Sequence, residues 1–394
     1  MSALAASRIG SPGWKPGWPS SNGPNLPESL AARLAAIDPD AFARALDHRI
    51  IAAQRGFAEG VAAYRRHPWR RPEERAPVVW REGSTALLDH GAGRQDVAEP
   101  AVLFAPSLIN RGWVLDLTPG TGMLSWLAGQ GVRPYRLEWG PPGPQEQGFG
   151  VADYVGRRLE PAMELLVRRT GRPVILAGYC MGGLLALAAA LRRQDQVSAL
   201  ALLATPWDFH AEGAARGQAI GRAWALSRAW LAAEGALPVD AIQALFALHD
   251  PLVALRKFRR FGALSQNSAA ARAFVALEDW LNDGVPLSIA VADEALRDWF
   301  GANVTGAGTW RLDGRLVDPA ALTIPVLVAT PGRDRIVPPG SAAAILPRLR
   351  RAEALDAPLG HIGMVVGRGA RQALWRPLAA WMRRVAAQEP GAGT

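Results

Sequence analysis

The 394-residue chain has one cysteine, Cys180, and only two lysines, Lys15 and Lys257. A single cysteine excludes an internal disulfide and any thiolate-rich metal site, and it suits a reducing compartment. No zinc-type Cys/His spacing and no Walker A sequence occurs. A dinucleotide fingerprint is also missing, because Gly120-Thr121-Gly122 has Ser125 where the third glycine should stand. Neither a metal nor a cofactor is expected. Long apolar runs are scarce as well. The longest, residues 184–191, is far too short to span a membrane. The first ten residues lack the charged start and apolar stretch of a signal peptide, so a cytoplasmic protein without a transmembrane segment is expected.

With lysine nearly absent, the net charge of +9 rests on arginine, often paired, as in Arg65-Arg66, Arg70-Arg71, Arg168-Arg169 and Arg383-Arg384. Such charge either solvates helix faces or draws anionic partners such as CoA phosphates, membrane or nucleic acid. No helix-turn-helix, zinc or base-stacking motif accompanies it, so nucleic acid is not expected as a partner. A hydrophobic content of 49% is ample for one large domain with an insertion, or for two modest ones.

What is present is a regular alternation. Residues 39–66 carry an apolar stripe at helical spacing (Phe42, Leu46, Ile50, Phe57, Val61, Tyr64), ended by His67-Pro68. Val78-Val79-Trp80 and Ala86-Leu87-Leu88 flank Gly83-Ser84 like a hairpin. Strands are predicted at 101–105, 135–139, 174–177, 197–203, 324–330 and 352–356. Helices are predicted at 123–131, 151–169, 181–193, 340–350 and 370–387. Strands alternating with helices in this way predict an α/β fold, a mostly parallel sheet with helices on both faces. Thr205-Pro206-Trp207 breaks the pattern, and the next hundred residues read as helical and aromatic-rich (Trp224, Trp280, Trp299, Phe300 and Trp310 among others). The expected organisation is a flexible tail at 1–27 bearing Trp14 and Trp18, an N-terminal helical segment at 28–77, and a core at 78–206 and 323–388. Residues 207–322 are expected to form an all-helical cap over an apolar cavity.

The most informative stretch is Gly178-Tyr179-Cys180-Met181-Gly182, between an apolar strand and a Leu/Ala-rich helix. It matches the nucleophile elbow G-x-S-x-G with Cys for Ser. The turn is sharp, and only the smallest residues two positions either side, Gly178 and Gly182, let strand and helix pass so closely. The helix N-terminus favours a thiolate and offers N–H groups to an oxyanion.

A thiol nucleophile needs a base, and the base an orienting group. Of six histidines, His361 lies in a loop after the last strand, where this architecture delivers its base. His48, His67 and His90 come before the regular alternation, while His210 and His249 fall outside the base position. Asp334 follows the 324–330 strand, with Asp318 and Asp356 as rivals. The order Cys180, Asp334, His361 is that of α/β-hydrolases. Met181 N–H is one expected oxyanion donor. The second is the N–H of Ser107 or Leu108, in the loop after the first core strand.

Several separated motifs bear a resemblance to the polyhydroxyalkanoate synthases, cysteine-dependent acyltransferases of α/β-hydrolase fold. They are the elbow, Pro106-Ser107-Leu108-Ile109-Asn110 with Leu115-Asp116-Leu117, Glu138-Trp139-Gly140-Pro141-Pro142, 202–209, Asp334-Arg335-Ile336-Val337-Pro338 and Gly360-His361-Ile362-Gly363. The likeness runs from about Val78 to Trp381 and is closest to the short, two-subunit (class III) type. Glu138 replaces an Asp, and Arg335 stands where His often follows the acid. The resemblance implies a 3-hydroxyacyl-CoA substrate, acylation of Cys180, and chain growth into poly-3-hydroxybutyrate-like polyester at a granule surface. It also implies a homodimer or a second synthase subunit as partner. A thioesterase or depolymerase, and a non-catalytic granule or scaffold protein, are the other readings of the same fold.

Overall fold

The structure is a computed structural model that describes residues 37–93, 99–247 and 250–388. The expected tail, with Trp14 and Trp18, and His249 lie outside the described residues. The chain divides into two compact units, residues up to Trp69 with Pro251–Val275, and Arg70–Asp250 with the residues from Ala276 onward.

In the first unit, helix α1 (Pro39–Arg66) begins at Asp38, whose carboxylate accepts the Asp40 N–H, and ends at His67. It packs on Val253–Gly262 so closely that a Cβ on Gly60 would lie 1.9 Å from the Phe258 carbonyl oxygen. Phe258 meets Phe57 and Tyr64 edge-on, and Phe261 stacks on Phe274 at 4.3 Å. Of the apolar stripe, Phe57 and Tyr64 find ring partners, whereas Leu46 is exposed.

The second unit is built on an eight-stranded sheet: β1 (Val78–Glu82), β2 (Thr85–Asp89), β3 (Ala101–Ala105), β4 (Arg133–Glu138), β5 (Val174–Tyr179), β6 (Val197–Leu203), β7 (Val326–Pro331) and β8 (Ala352–Ala357). Their order is β1-β2-β4-β3-β5-β6-β7-β8. The β1–β2 hairpin and the β2–β4 pair are antiparallel, and every other pair is parallel. Strands β3, β5 and β7 are buried at every position, as near-continuous apolar strands under helices must be. Helices α2 (Met123–Ala128), α3 (Glu160–Thr170), α4 (Met181–Arg192) and, near the C-terminus, Arg376–Ala387 alternate with these strands.

The differences from the sequence reading have local causes. The helix expected at 151–169 is interrupted by a π-turn, Val155–Leu159, just before Pro161, which has no N–H to donate. The helix expected at 340–350 stops after Pro339–Ala343, with a 3₁₀ turn over Leu346–Arg348 around Pro347. The stretch expected as one all-helical cap is neither. Pro251–Val275 clusters with the N-terminal residues, because Phe258 meets Phe57 and Tyr64 and Phe261 meets His67 there. Two-residue strands also pair Ala236-Leu237 with Leu287-Ser288, and Arg311-Leu312 with Arg315-Leu316. Among the described residues no helix is long and apolar enough to cross a membrane.

Candidate active site

Strand β5 runs straight into α4 through Cys180, which holds φ 55° and ψ −129°. That conformation is strained for a residue with a Cβ and persists only where its surroundings enforce it. They do so by proximity. A Cβ on Gly178 would lie 2.3 Å from Gly183 Cα, and one on Gly182 would lie 2.1 Å from the Ala105 carbonyl oxygen and 2.4 Å from that of Pro106. Gly183, outside the motif, is equally constrained, since its Cβ would meet Thr205 Oγ1 at 1.8 Å. Gly182→Ala is therefore expected to destabilise by about 1–3 kcal/mol, because backbone rather than flexible side chain must give way. Gly148→Ala, with open space around it, is the control. Chemical denaturation of both variants checks this, and equal midpoints would contradict it.

The other two residues arrive at the same edge of the sheet. β7 and β8 pair in parallel up to Pro331 and Ala357, and the turns beyond are stitched by Gly332 N–H to Ala357 C=O (2.6 Å) and Arg333 N–H to Leu359 C=O (2.9 Å). This brings Asp334 and His361 together: His361 Nδ1–H donates to Asp334 Oδ2 at 2.5 Å. Asp334 Oδ1 accepts the N–H groups of Ile336 (2.7 Å) and Val337 (3.0 Å), so its carboxylate is fixed at both oxygens. The rivals lie elsewhere. Asp318 caps a 3₁₀ turn by accepting the Ala320 N–H, and Asp356 sits exposed in β8.

With Nδ1 engaged by Asp334, the other ring nitrogen of His361 is left for Cys180, whose charge acts on the ring. Burial disfavours the imidazolium, but the adjacent Cys180, the hydrogen bond to Asp334 and the Asp334 charge outweigh it. Together they raise the His361 pKa from 6.5 to about 10. Tyr179 completes the group. Its ring lies against that of His361 (centroids 5.2 Å) and its hydroxyl donates to the His361 carbonyl (3.2 Å). Burial, then the charges of Cys180 and Asp334, push the phenol well above its usual range, so it stays a neutral donor. The sequence reading assigned Tyr179 no role. The only signal was its place beside Cys180.

Met181, Ser107 and Leu108 are all buried. Met181 begins α4, where an N–H has no intrahelical acceptor, while the Gly183 N–H is used by the Cys180 carbonyl (2.9 Å). Trp139 Nε1–H donates to the Pro106 carbonyl (2.9 Å) and Ser107 Oγ accepts the Ile109 N–H (3.4 Å), which fix the shape of the loop. The Glu138-Trp139 turn singled out by motif thus braces this loop. Glu138 also accepts the Gly112 N–H (3.1 Å) and pairs with buried Arg136 (2.6 Å).

Cys180 and Met181 open into a cavity of about 230 Å³. Its walls come from the elbow helix (Leu184), the loop after β3 (Ile109), and the inserted segment (Ile220, Leu237, Ile242, Leu287, Leu296, Trp299 and Phe300). Asp208, Glu212, Arg216 and Arg335 supply the polar lining. Arg335, whose side chain is 77% exposed, pairs with Asp250 at 3.5 Å.

This geometry agrees with what the chain is similar to. The alpha/beta hydrolase fold family matches residues 169–367, half of the chain and the part carrying Cys180, Asp334 and His361. The chain belongs to the alpha/beta hydrolase family. BpoC from Mycobacterium tuberculosis H37Rv has the same fold, with a TM-score of 0.50 at 18% identity over 80% of this chain and 99% of that one. The resemblance read from the motifs is borne out as well. The chain is 27% identical to the poly(3-hydroxyalkanoate) polymerase subunit PhaC of Haloferax mediterranei, over 77% of this chain and 63% of that protein. It is 28% identical to the subunit of the same name from Synechocystis, over 71% of this chain and 77% of that one. It therefore spans less than two thirds of the length of the haloarchaeal relative.

Proposed function

We propose that this hydrolase-fold chain is an acyltransferase that polymerises 3-hydroxyacyl-CoA into polyhydroxyalkanoate through an acyl-enzyme on Cys180. The observation that carries the reading is a cysteine beside a hydrogen-bonded histidine–aspartate pair, at the base of a largely apolar cavity, in a chain similar to named polymerases. Cys180 as thiolate attacks the thioester carbonyl, and the Met181 N–H with that of Ser107 or Leu108 holds the oxyanion. Losing one such donor typically costs about 3–4 kcal/mol. The C–S bond to CoA breaks, and His361 gives its proton to the departing thiolate.

Acylation removes the Cys180 charge, which is the larger of the influences raising the His361 pKa. The imidazole is thereby freed to act as base toward the 3-hydroxyl of a second acyl group. That alkoxide attacks the Cys180 thioester, an ester bond forms, and the thiolate is regenerated. Asp334 holds the ring in the required tautomer throughout. Every step uses side chains and N–H groups of this chain. Arg216 and Arg335, at the polar part of the cavity, suit a phosphate-bearing thioester.

A dry cavity favours a held hydroxyl over water, because effective molarities for well-oriented groups reach about 10⁵ M or more. With 3-hydroxybutyryl-CoA, purified protein should release CoA in step with ester-linked oligomer or polymer, read by chromatography of the product. Free 3-hydroxy acid equal to all the CoA, with any needed partner subunit present, would place the protein among thioesterases instead.

A further inference from the structure

The loop after β6 is tied to the end of the π-helical segment Asp293–Gly301 by side chains that the proposed chemistry leaves unused. Asn303 stands at the centre. Its Oδ1 accepts the Phe209 N–H (2.9 Å), and its Nδ2 donates to Asp208 Oδ1 (2.8 Å), which also accepts the His210 N–H (2.8 Å). On either side, Thr305 Oγ1 donates to the Trp207 carbonyl and His210 Nε2–H to the Phe300 carbonyl (2.8 Å). Asn303 holds φ 52°, a left-handed conformation that asparagine tolerates better than most residues. Gly306 makes room for it, since a Cβ there would lie 2.6 Å from Asn303 Nδ2.

These bonds fix a wall of the cavity. Phe209 stacks on Trp299 (6.2 Å) and meets Phe300 edge-on (4.8 Å), and all three rings line the space above Cys180. Behind them the helix Ala214–Ala233 passes so closely that a Cβ on Gly217 would lie 2.4 Å from the Phe300 carbonyl oxygen. An apolar wall discriminates by about 10–200-fold per methylene, and only when it cannot retreat from a longer chain. Aromatic contacts alone would let Phe209 move with its loop. The bonds among Asn303, Asp208 and the Phe209 backbone restrain the loop independently of the ring contacts.

We propose that Asn303 is a positioning residue that, through Asp208 and Phe209, sets the length of acyl chain admitted beside Cys180. The proposal rests on the polymerase reading only in naming the ligand an acyl chain. Because Cys180 is the sole cysteine, its conversion to a mixed disulfide by an alkyl methanethiosulfonate, with methanesulfinate leaving, reads the cavity without turnover. The full-length protein is treated with n-alkyl methanethiosulfonates from methyl to octyl, and modification is followed by intact mass. Wild-type rates should fall sharply with alkyl length. Asn303→Gly keeps the backbone conformation and deletes both side-chain bonds, and should raise the octyl-to-methyl rate ratio at least about tenfold. Asn303→Asp retains the acceptor for Phe209 but sets a carboxylate against Asp208, and should fall between the two. An unchanged ratio in Asn303→Gly, or methyl and octyl rates rising together, would overturn the proposal. If the glycine variant lacks a cooperative thermal transition, the ratio in Asn303→Asp decides by the same criterion. A protein that transfers nothing from CoA still reports this ratio, so the polymerase reading and the wall can fail separately.

Discussion

Replacing Cys180 with alanine is expected to abolish CoA release and covalent acylation together, with a rate loss of at least about a thousandfold. The size of the effect follows from the placement of the thiol. It is the nucleophile position of a strained elbow, the partner of His361, and an opening onto the cavity at the same time. No other thiol exists to substitute for it. Radiolabelled 3-hydroxyacyl-CoA should therefore leave acyl label on wild-type protein after denaturation and none on Cys180→Ala. Cys180→Ser should be nearly as inactive. An alcohol at this place is scarcely ionised at neutral pH, and the charge that contributes most to raising the His361 pKa would be absent. Equal labelling of wild type and the alanine variant would remove Cys180 from the reaction and leave only the fold.

The fold and the grouping of Cys180, Asp334 and His361 were legible because each is dictated locally. Apolar strands that are buried on both faces read as continuous runs, as at residues 101–105 and 197–203, and their observed bounds coincide with the expected ones. The elbow needs glycines at 178 and 182 for reasons of contact that no other residue satisfies. Asp334 and His361 follow consecutive strands, so parallel pairing of β7 and β8 brings them together once the topology is known. What the sequence could not reveal depends on contacts between distant residues. Tyr179 against His361 and Asn303 against Phe209 are pairings across more than 90 positions, carried by single side chains with no periodic signal. The same holds for the division of the inserted segment. Both sides of Pro251 read as helix, and the ring partners of Phe258 and Phe261, namely Phe57, Tyr64 and His67, show which unit Pro251–Val275 joins.

His361→Ala should reduce acyl transfer by at least about a thousandfold, and Asp334→Asn by less, with a changed pH profile that distinguishes the two roles. The sign follows from the raised pKa. In the folded protein His361 titrates near 10, above its ordinary 6.5, because the Cys180 charge and the bonds to Asp334 overcome burial. Its charged form therefore stabilises the fold. That contribution is complete below about pH 6.5 and is lost progressively as pH rises through about 10. Asp334→Asn deletes one charge and weakens the short hydrogen bond, so the His361 pKa falls and the contribution shrinks. The stability difference between wild type and Asp334→Asn should then be largest near pH 6.5 and narrow steadily toward pH 10, read by urea denaturation at each pH. The alkaline limb of CoA release, where the imidazolium can no longer protonate the leaving thiolate, should move to lower pH in the same variant. A limb that stays in place, with a stability difference constant across this window, would mean that Asp334 supports the loop through Ile336 and Val337 and does not govern the histidine.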